Sequence, residues 1–205
     1  ANVSLFSILL AFGCGGSSSS APNEGSTSVT ANSIVDEGSP KEAPLPIDPD
    51  IRVGKLDNGL TYYIKQHHKP EARASLRLAV NAGSVLEDED QRGLAHFLEH
   101  MAFNGTERFE KMAIVNYLES IGMSFGADVN AYTSFDETVY MLQVPTDSKE
   151  TLVKGLDILH EWSHAISLDP NEVEKERGVV IEEWRLGRGA GERIFDKQFP
   201  LMFKG

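Results

Sequence analysis

Residues 92–106 read Arg-Gly-Leu-Ala-His-Phe-Leu-Glu-His-Met-Ala-Phe-Asn-Gly-Thr, and the apolar spacing of this stretch predicts a helix over residues 93–103. His96 and His100 are four residues apart, so both imidazoles fall on one face of that helix and each can offer a nitrogen to one metal ion. Glu99 lies one turn from His96, beside the pair. The stretch therefore predicts a helical metal site with a carboxylate next to it.

The same helix carries a predicted apolar stripe, made of Leu94, Leu98 and Met101. The two histidines lie nearly opposite this stripe on a helical wheel. We therefore expect His96 and His100 to face solvent or a cleft rather than the core of the domain.

Hydrophobic periodicity predicts strands and further helices around this helix. Residues 57–59 (Asp-Asn-Gly) separate two β-rich runs and are a strong hairpin signal. Residues 169–172 (Asp-Pro-Asn-Glu) predict the start of the last helix, with a capping aspartate and a proline at the first helical position. Strands that pair before and between helices indicate an α+β fold with an antiparallel sheet packed against helices. The predicted strands cover residues 51–56, 60–66, 74–82, 127–133 and 138–144, and the predicted helices cover 93–103, 112–121 and 149–166.

Composition excludes several classes of protein. The chain has 205 residues, a formal net charge of −12 and one cysteine. The acidic balance, without a clustered Lys/Arg stripe, argues against a nucleic-acid partner. One cysteine cannot form a disulfide framework or a Cys-based metal site, so histidine and carboxylate must hold any metal.

The first 50 residues differ in composition from the rest. Residues 1–14 contain an apolar run that ends at Gly13 and Cys14, which is typical of a lipoprotein signal, and the absence of Met and of a basic region indicates a truncated start. This segment predicts a lipid anchor on Cys14 and attachment to a membrane on the periplasmic side of a bacterial cell envelope. The alternative is an ordinary small hydrophobic cysteine. Residues 15–50 are rich in Ser, Gly, Pro and acid and predict a disordered linker, and residues 51–205 suffice for one domain.

A catalytic zinc site usually has three protein ligands and keeps one position for water, so a third ligand is needed. Glu176 is our candidate, because on its helix it lies angularly between Val179 and Val180. Glu183 falls on the same face, seven residues later. The alternative for this pattern is an ordinary exposed acidic helix.

A second zinc motif competes with the first. His160, Glu161 and His164 form an H-E-x-x-H sequence within the predicted helix over residues 149–166, and Glu183 follows as a possible third ligand. These histidines also lie off the apolar stripe of their helix. Helical geometry alone therefore leaves both motifs open.

Five stretches resemble one family of peptidases. Residues 80–84 (Val-Asn-Ala-Gly-Ser), 92–106, 130–133 (Asn-Ala-Tyr-Thr), 136–140 (Asp-Glu-Thr-Val-Tyr) and 176–183 (Glu-Arg-Gly-Val-Val-Ile-Glu-Glu) are similar to elements of the pitrilysin/insulinase family. Members of that family are zinc peptidases with an inverted H-x-x-E-H motif, and the likeness is greatest to bacterial periplasmic insulinase-like peptidases. The resemblance covers everything after the linker. It implies the fold of the family's amino-terminal domain and favours the first motif over the second.

The resemblance also implies a role for each residue of the site. It makes His96, His100 and Glu176 the ligands of one zinc ion, and Glu183 a supporting carboxylate near the metal. Glu99 becomes the general base, which accepts a proton from a zinc-activated water and passes it to the leaving amine. The implied activity is that of a zinc endopeptidase.

The implied substrates are extended peptides or unfolded polypeptides. Asn130 and Ala131 would lie on an edge strand that receives the substrate through main-chain hydrogen bonds. Enzymes of the family close a chamber with a second homologous half, which supplies further groups that hold the substrate. We therefore expect such a half-domain or subunit as a partner, and we expect residues 51–205 to be incomplete at their carboxyl end and inactive alone.

Two other functions stay open at this stage. Some relatives of such peptidases lose activity and serve as binding or assembly subunits, although the intact first motif argues against that role. S-ribosylhomocysteine lyase also carries H-x-x-E-H on a related fold. It uses cysteine chemistry, and the one cysteine of this chain, Cys14, lies in the predicted leader.

Overall fold

The computed structural model describes residues 46–202. These residues belong to two compact units, one within residues 46–69 and the other within residues 70–202. Cys14, the predicted leader and all but the last residues of the predicted linker lie outside the described residues.

The first unit is an antiparallel hairpin of β1 (Ile51–Lys55) and β2 (Thr61–Lys65), in which Ile51 is opposite Lys65. The hairpin confirms the turn predicted at residues 57–59. Gly59 has a φ of +92°, which is the left-handed conformation that such a turn requires and that glycine adopts at little cost.

The second unit is built on a three-stranded antiparallel sheet of β3 (Arg73–Val80), β4 (Val129–Thr133) and β5 (Thr138–Pro145). The strand order is β3-β5-β4, so β5 is central and β4 lies at an edge. Tyr140 of β5 is opposite Leu78 of β3 and Ala131 of β4. The structure therefore confirms the predicted fold class, which is a mixture of helices and an antiparallel sheet.

One face of this sheet is covered by α3 (Lys149–His164), which packs against β3 and β5. A Cβ added at Gly155 would lie 3.0 Å from side-chain atoms of Leu76 and Val144, so the helix approaches the sheet closely at this point. The core contains the following buried residues: Ala102, Phe109, Ile114, Leu118, Met123, Val129, Tyr140, Leu142, Val144, Ile158 and Trp162.

Four more helices complete this unit: α1 (Leu94–Met101), α2 (Ala113–Ser120), α4 (Pro170–Gly187) and α5 (Ala190–Met202). The predicted start of α4 is confirmed, because the Asp169 carboxylate accepts hydrogen bonds from the amides of Asn171 and Glu172. Helix α5 was not predicted from the sequence. Within residues 46–202, the structure has no helix that combines the length and the apolarity needed to cross a membrane.

The buried face of α1 differs from the predicted stripe. Met101 is fully buried, but Leu94 and Leu98 are 56% and 43% exposed. The helix instead turns Glu99 inward, toward β4, where Thr133 donates a hydrogen bond to its carboxylate. A hydrogen bond offsets the cost of burying this polar group, and the face with Leu94 and Leu98 stays exposed among the described residues.

Candidate metal centre

The start of α1 is fixed by a carboxylate from the preceding loop. Glu87 accepts hydrogen bonds from the amides of Gly93, at 2.7 Å, and Ala95, at 2.8 Å. Gly93 itself has a φ of +90° and caps the helix without a side chain. Because the first amides of a helix are otherwise unpaired and carry partial positive charge, an anionic acceptor stabilises this end.

The two histidines of α1 bring their Nε2 atoms to within 3.1 Å of each other. A carboxylate oxygen of Glu183, on α4, lies beside both atoms. Its Oε2 is 3.2 Å from Nε2 of His100 and 3.7 Å from Nε2 of His96. Among the described residues, only His96, His100 and Glu183 form a group of three or more metal-ligating side chains with converging ligand atoms.

This triangle fits a zinc ion. Tetrahedral zinc with bonds of about 2.0–2.1 Å keeps its ligand atoms about 3.3 Å apart. The three separations between His96, His100 and Glu183 range from 3.1 to 3.7 Å, so one ion can contact all three atoms. Two imidazoles and one carboxylate are also a ligand set known from catalytic zinc sites.

Glu176 takes a different place from the one expected. Its Oε1 lies 2.8 Å from Nδ1 of His100, which is the other nitrogen of that ring, and its Oε2 accepts a hydrogen bond of 2.7 Å from the side-chain amide of Asn104. Since the Nε2 atom of His100 faces His96, Glu176 contacts the ring from the side opposite to the converging atoms of His96, His100 and Glu183. The sequence could not separate it from Glu183, because the two share one helix face.

Glu99 is almost fully buried, at 9% exposure, and its carboxylate is held in place. Thr133 at the end of β4 donates a hydrogen bond of 2.7 Å to Oε2 of Glu99. The neighbouring Thr138 donates to the carbonyl of Ala82 at 2.9 Å, and its hydroxyl lies 3.4 Å from that of Thr133. The sheet therefore sets the orientation of the carboxylate next to the histidine pair.

The surroundings affect two titratable groups of the site. Burial, and then the adjacent His100, lower the pKa of His96, which favours the neutral imidazole that a metal requires. Burial, and then the Glu99 carboxylate, raise the pKa of Tyr140 to about 12. Tyr140 is therefore a neutral phenol near Glu99 at neutral pH.

The second zinc motif does not form a comparable centre. Glu161 is 2% exposed, and its Oε2 accepts hydrogen bonds from the Thr106 hydroxyl, at 3.0 Å, and the Arg108 amide, at 3.1 Å. His160 and His164 lie on the surface. The Glu161 carboxylate therefore connects α3 to the loop after α1 through these hydrogen bonds.

The predicted substrate residues lie on β4 at the edge of the sheet. Asn130 is exposed and Ala131 is partly buried. The Ala131 amide donates to Oδ1 of Asn130 at 2.9 Å, while the Asn130 side-chain amide donates to the Gly126 carbonyl at 3.4 Å.

Sequence reasoning gave no role to three residues that support the site: Glu87, Asn104 and Thr133. Asn104 and Thr133 lie inside stretches that carry the family resemblance, so the resemblance could have indicated both residues. Glu87 precedes α1 by several residues and matches no local capping pattern. Only the folded loop brings it to the helix.

Comparison with known proteins gives one family. The family model for insulinase (peptidase family M16) matches residues 62–186, more than half of the chain. The probable zinc protease PqqL of Haemophilus influenzae is 44% identical over 161 residues, which cover 78% of this chain and 17% of that protein. The zinc protease PQQL-like of Arabidopsis thaliana is 51% identical over 152 residues, which cover 74% of this chain and 16% of that protein.

Solved structures agree with this result. The first half of the periplasmic protease PqqL from Escherichia coli matches with a TM-score of 0.74 and 44% identity, over 77% of this chain and 34% of that one. A protease from Helicobacter pylori matches with a TM-score of 0.63 and 26% identity, over 72% of this chain and 34% of that one. The chain therefore spans only a small part of its curated relatives, and it belongs to the insulinase family of peptidases, M16.

Proposed function

We propose that this chain provides the zinc-binding part of an endopeptidase that hydrolyses peptide bonds. The observation that carries the proposal is the convergence of His96, His100 and Glu183 beside the oriented carboxylate of Glu99. The names of the relatives, which are zinc proteases, support it. The three converging residues hold one zinc ion, and this ligand set replaces Glu176 of the sequence-based expectation with Glu183.

Each residue of the site then has a distinct task. Zinc, when bound, supplies a Lewis acid for a water molecule and the peptide carbonyl. Glu99 accepts a proton from water and passes it to the leaving amine. Glu176 accepts a hydrogen bond from Nδ1 of His100, which fixes the tautomer whose Nε2 lone pair faces the metal position. Thr133 holds the Glu99 carboxylate.

The substrate in this proposal is an extended peptide or an unfolded polypeptide. β4 is an edge strand of its sheet and Thr133 at its end contacts Glu99, so a peptide paired with β4 runs past the site. Pairing along Asn130 and Ala131 uses main-chain groups and makes few demands on sequence. The peptide must displace the hydrogen bond between the Ala131 amide and the Asn130 side chain.

A second homologous half, in the same chain or in a partner subunit, completes the substrate chamber. The solved relative from Escherichia coli is itself described as a first half, which supports this arrangement. The relative is also described as periplasmic, which supports a location on the periplasmic side of a bacterial envelope.

We further propose that a lipid on Cys14 anchors the protein to a membrane and that residues 15–50 act as a spacer. The apolar run before Gly13 and Cys14 supports this proposal. With a complete leader in a bacterial host, the chain should fractionate with membranes, and Cys14→Ser should release it. Equal membrane retention of both forms would contradict the anchor.

The catalytic proposal is tested by a chimera in which residues 51–202 replace the matching segment of the Escherichia coli protease. We expect one zinc ion at this site and cleavage of a quenched fluorogenic peptide. Glu99→Gln should retain zinc and lower the cleavage rate by about 10²–10⁴-fold, because it removes the proton acceptor but keeps the shape. Cleavage at an undiminished rate by the zinc-loaded variant would exclude Glu99 as the base.

A further inference from the structure

The histidine pair of the second motif has a geometry close to that of the first. The rings of His160 and His164 have centroids 4.4 Å apart at an angle of 67°, and those of His96 and His100 have centroids 4.6 Å apart at 86°. Both pairs are spaced four residues apart on a helix. The pair of His160 and His164 thus brings two imidazole rings side by side on the surface of α3.

The hydrogen bonds of His164 leave one nitrogen ready to bind a metal. Its Nδ1 lies 2.8 Å from the carbonyl oxygen of His160. A carbonyl only accepts, so Nδ1 carries the proton and Nε2 keeps its lone pair. The side chain of His160 is 64% exposed, and this exposure leaves room for water to fill the remaining positions around an ion.

Local electrostatics also suit a cation at this place. His164 is the last residue of α3, where unpaired carbonyls give the helix end a partial negative charge. Oε1 of Glu161 lies 3.8 Å from Nδ1 of His160 and 3.6 Å from the guanidinium of Arg108. Arg108 also lies 3.7 Å from the carboxylate of Asp157, so two carboxylates of α3 face one guanidinium and the local balance of charge is negative.

We propose that His160 and His164 form a second metal site, separate from the catalytic centre, that binds a divalent transition cation such as Ni²⁺ or Cu²⁺ through two imidazoles and water. Imidazole suits these ions, which accept a mixed set of nitrogen and oxygen ligands. Glu161 stays outside this ligand set, because its Oε2 accepts hydrogen bonds from Thr106 and Arg108 and its Oε1 lies beside the Arg108 guanidinium. The site therefore cannot supply the ligand set and base of a zinc peptidase.

The test uses Ni²⁺ as the probe and the full chain loaded with one equivalent of zinc, which fills the three-residue first site in preference to the two imidazoles of α3. Calorimetric titration should show one Ni²⁺ site whose affinity falls at least tenfold in His164→Ala and in His160→Ala, since either change removes half of the chelate. The double variant of His67 and His68 to Ala is the matched control, because it removes two exposed imidazoles outside α3.

The control should bind Ni²⁺ as the parent does. Unchanged Ni²⁺ binding in the double variant of His160 and His164 would overturn the proposal. Loss of binding only in the control would assign the ion to His67 and His68 and would overturn it as well. Zinc content, measured in parallel, should stay the same in all of these variants.

Discussion

The Oε1 atom of Glu176 lies 2.8 Å from Nδ1 of His100, and this contact decides the role of the carboxylate. The Nε2 atom of the same ring lies 3.2 Å from Glu183. One imidazole therefore contacts two carboxylates through its two different nitrogens. A metal on Nε2 is within reach of Glu183, whereas Glu176 holds the far side of the ring.

The first prediction separates these two roles by zinc affinity. Glu183→Gln removes a ligand and should abolish zinc binding at micromolar concentrations of metal. Glu176→Gln removes only the acceptor behind His100 and should weaken zinc binding by about 10–100-fold. Zinc affinity of the purified variants, measured by competition with a chelating dye, checks both values.

Glu182→Gln is the matched control for this pair, because Glu182 lies on the same helix but pairs with Arg185 on the exposed face. It should bind zinc as the parent does. If Glu176→Gln loses zinc completely and Glu183→Gln retains it, Glu176 is the ligand, as the sequence first indicated.

The second prediction concerns the cap of α1. Glu87→Ala leaves the amides of Gly93 and Ala95 without their acceptor, so the free energy of unfolding should fall by about 1 kcal/mol. Denaturant titration measures this value. Glu89→Ala is the control, because Glu89 pairs with the exposed Arg92 in the same loop and such pairs contribute little. Equal stability of the Glu87 and Glu89 variants would contradict the cap.

The sequence predicted the elements of the second unit well where the local signal was strong. The cap at Asp169 and the periodicity of α3 have local causes, so the structure agrees with them to within about two residues. The apolar stripe predicted on α1 was wrong for Leu94 and Leu98, which are exposed, whereas Glu99 is buried and accepts a hydrogen bond from Thr133. Periodicity reports local spacing only and cannot include a contact between residues 34 positions apart.

The sequence predicted which residue types form the candidate site, but it did not predict which carboxylate lies beside both histidines. The spacing of His96 and His100 places both rings on one helix face whatever the fold. The choice between Glu176 and Glu183 depends on how far α4 is shifted along α1, since the two carboxylates share one face of α4. That shift is set by packing between distant parts of the chain, which a single sequence does not report.

The third prediction tests Thr133 as a positioning residue for the proposed base. Thr133→Val removes the hydroxyl that holds Glu99 at 2.7 Å and should lower kcat of the peptidase chimera by about tenfold, or ~1.4 kcal/mol, with zinc content and KM unchanged. Thr133→Ser keeps the hydroxyl and should restore kcat. A loss of kcat in the Ser variant equal to that in the Val variant would point to packing instead.

The last prediction concerns acid stability and the buried Glu161. Burial alone would raise the pKa of its carboxyl, but hydrogen bonds from the Thr106 hydroxyl and the Arg108 amide, together with the nearby Arg108 guanidinium, outweigh burial, so the pKa lies below its ordinary value of 4.5. A carboxyl whose pKa is lowered by folding stabilises the folded state above that ordinary value, and its contribution is lost as the pH falls through the lowered pKa. Glu161→Gln should therefore lower the Tm most at pH 7, and the difference from the parent should shrink as the pH falls below about 4. Thermal unfolding between pH 3 and pH 7 measures this difference, with the exposed Glu107→Gln as control. A difference between Glu161→Gln and the parent that stays constant across this range would show that the carboxylate charge contributes nothing to the contact between α3 and the loop after α1.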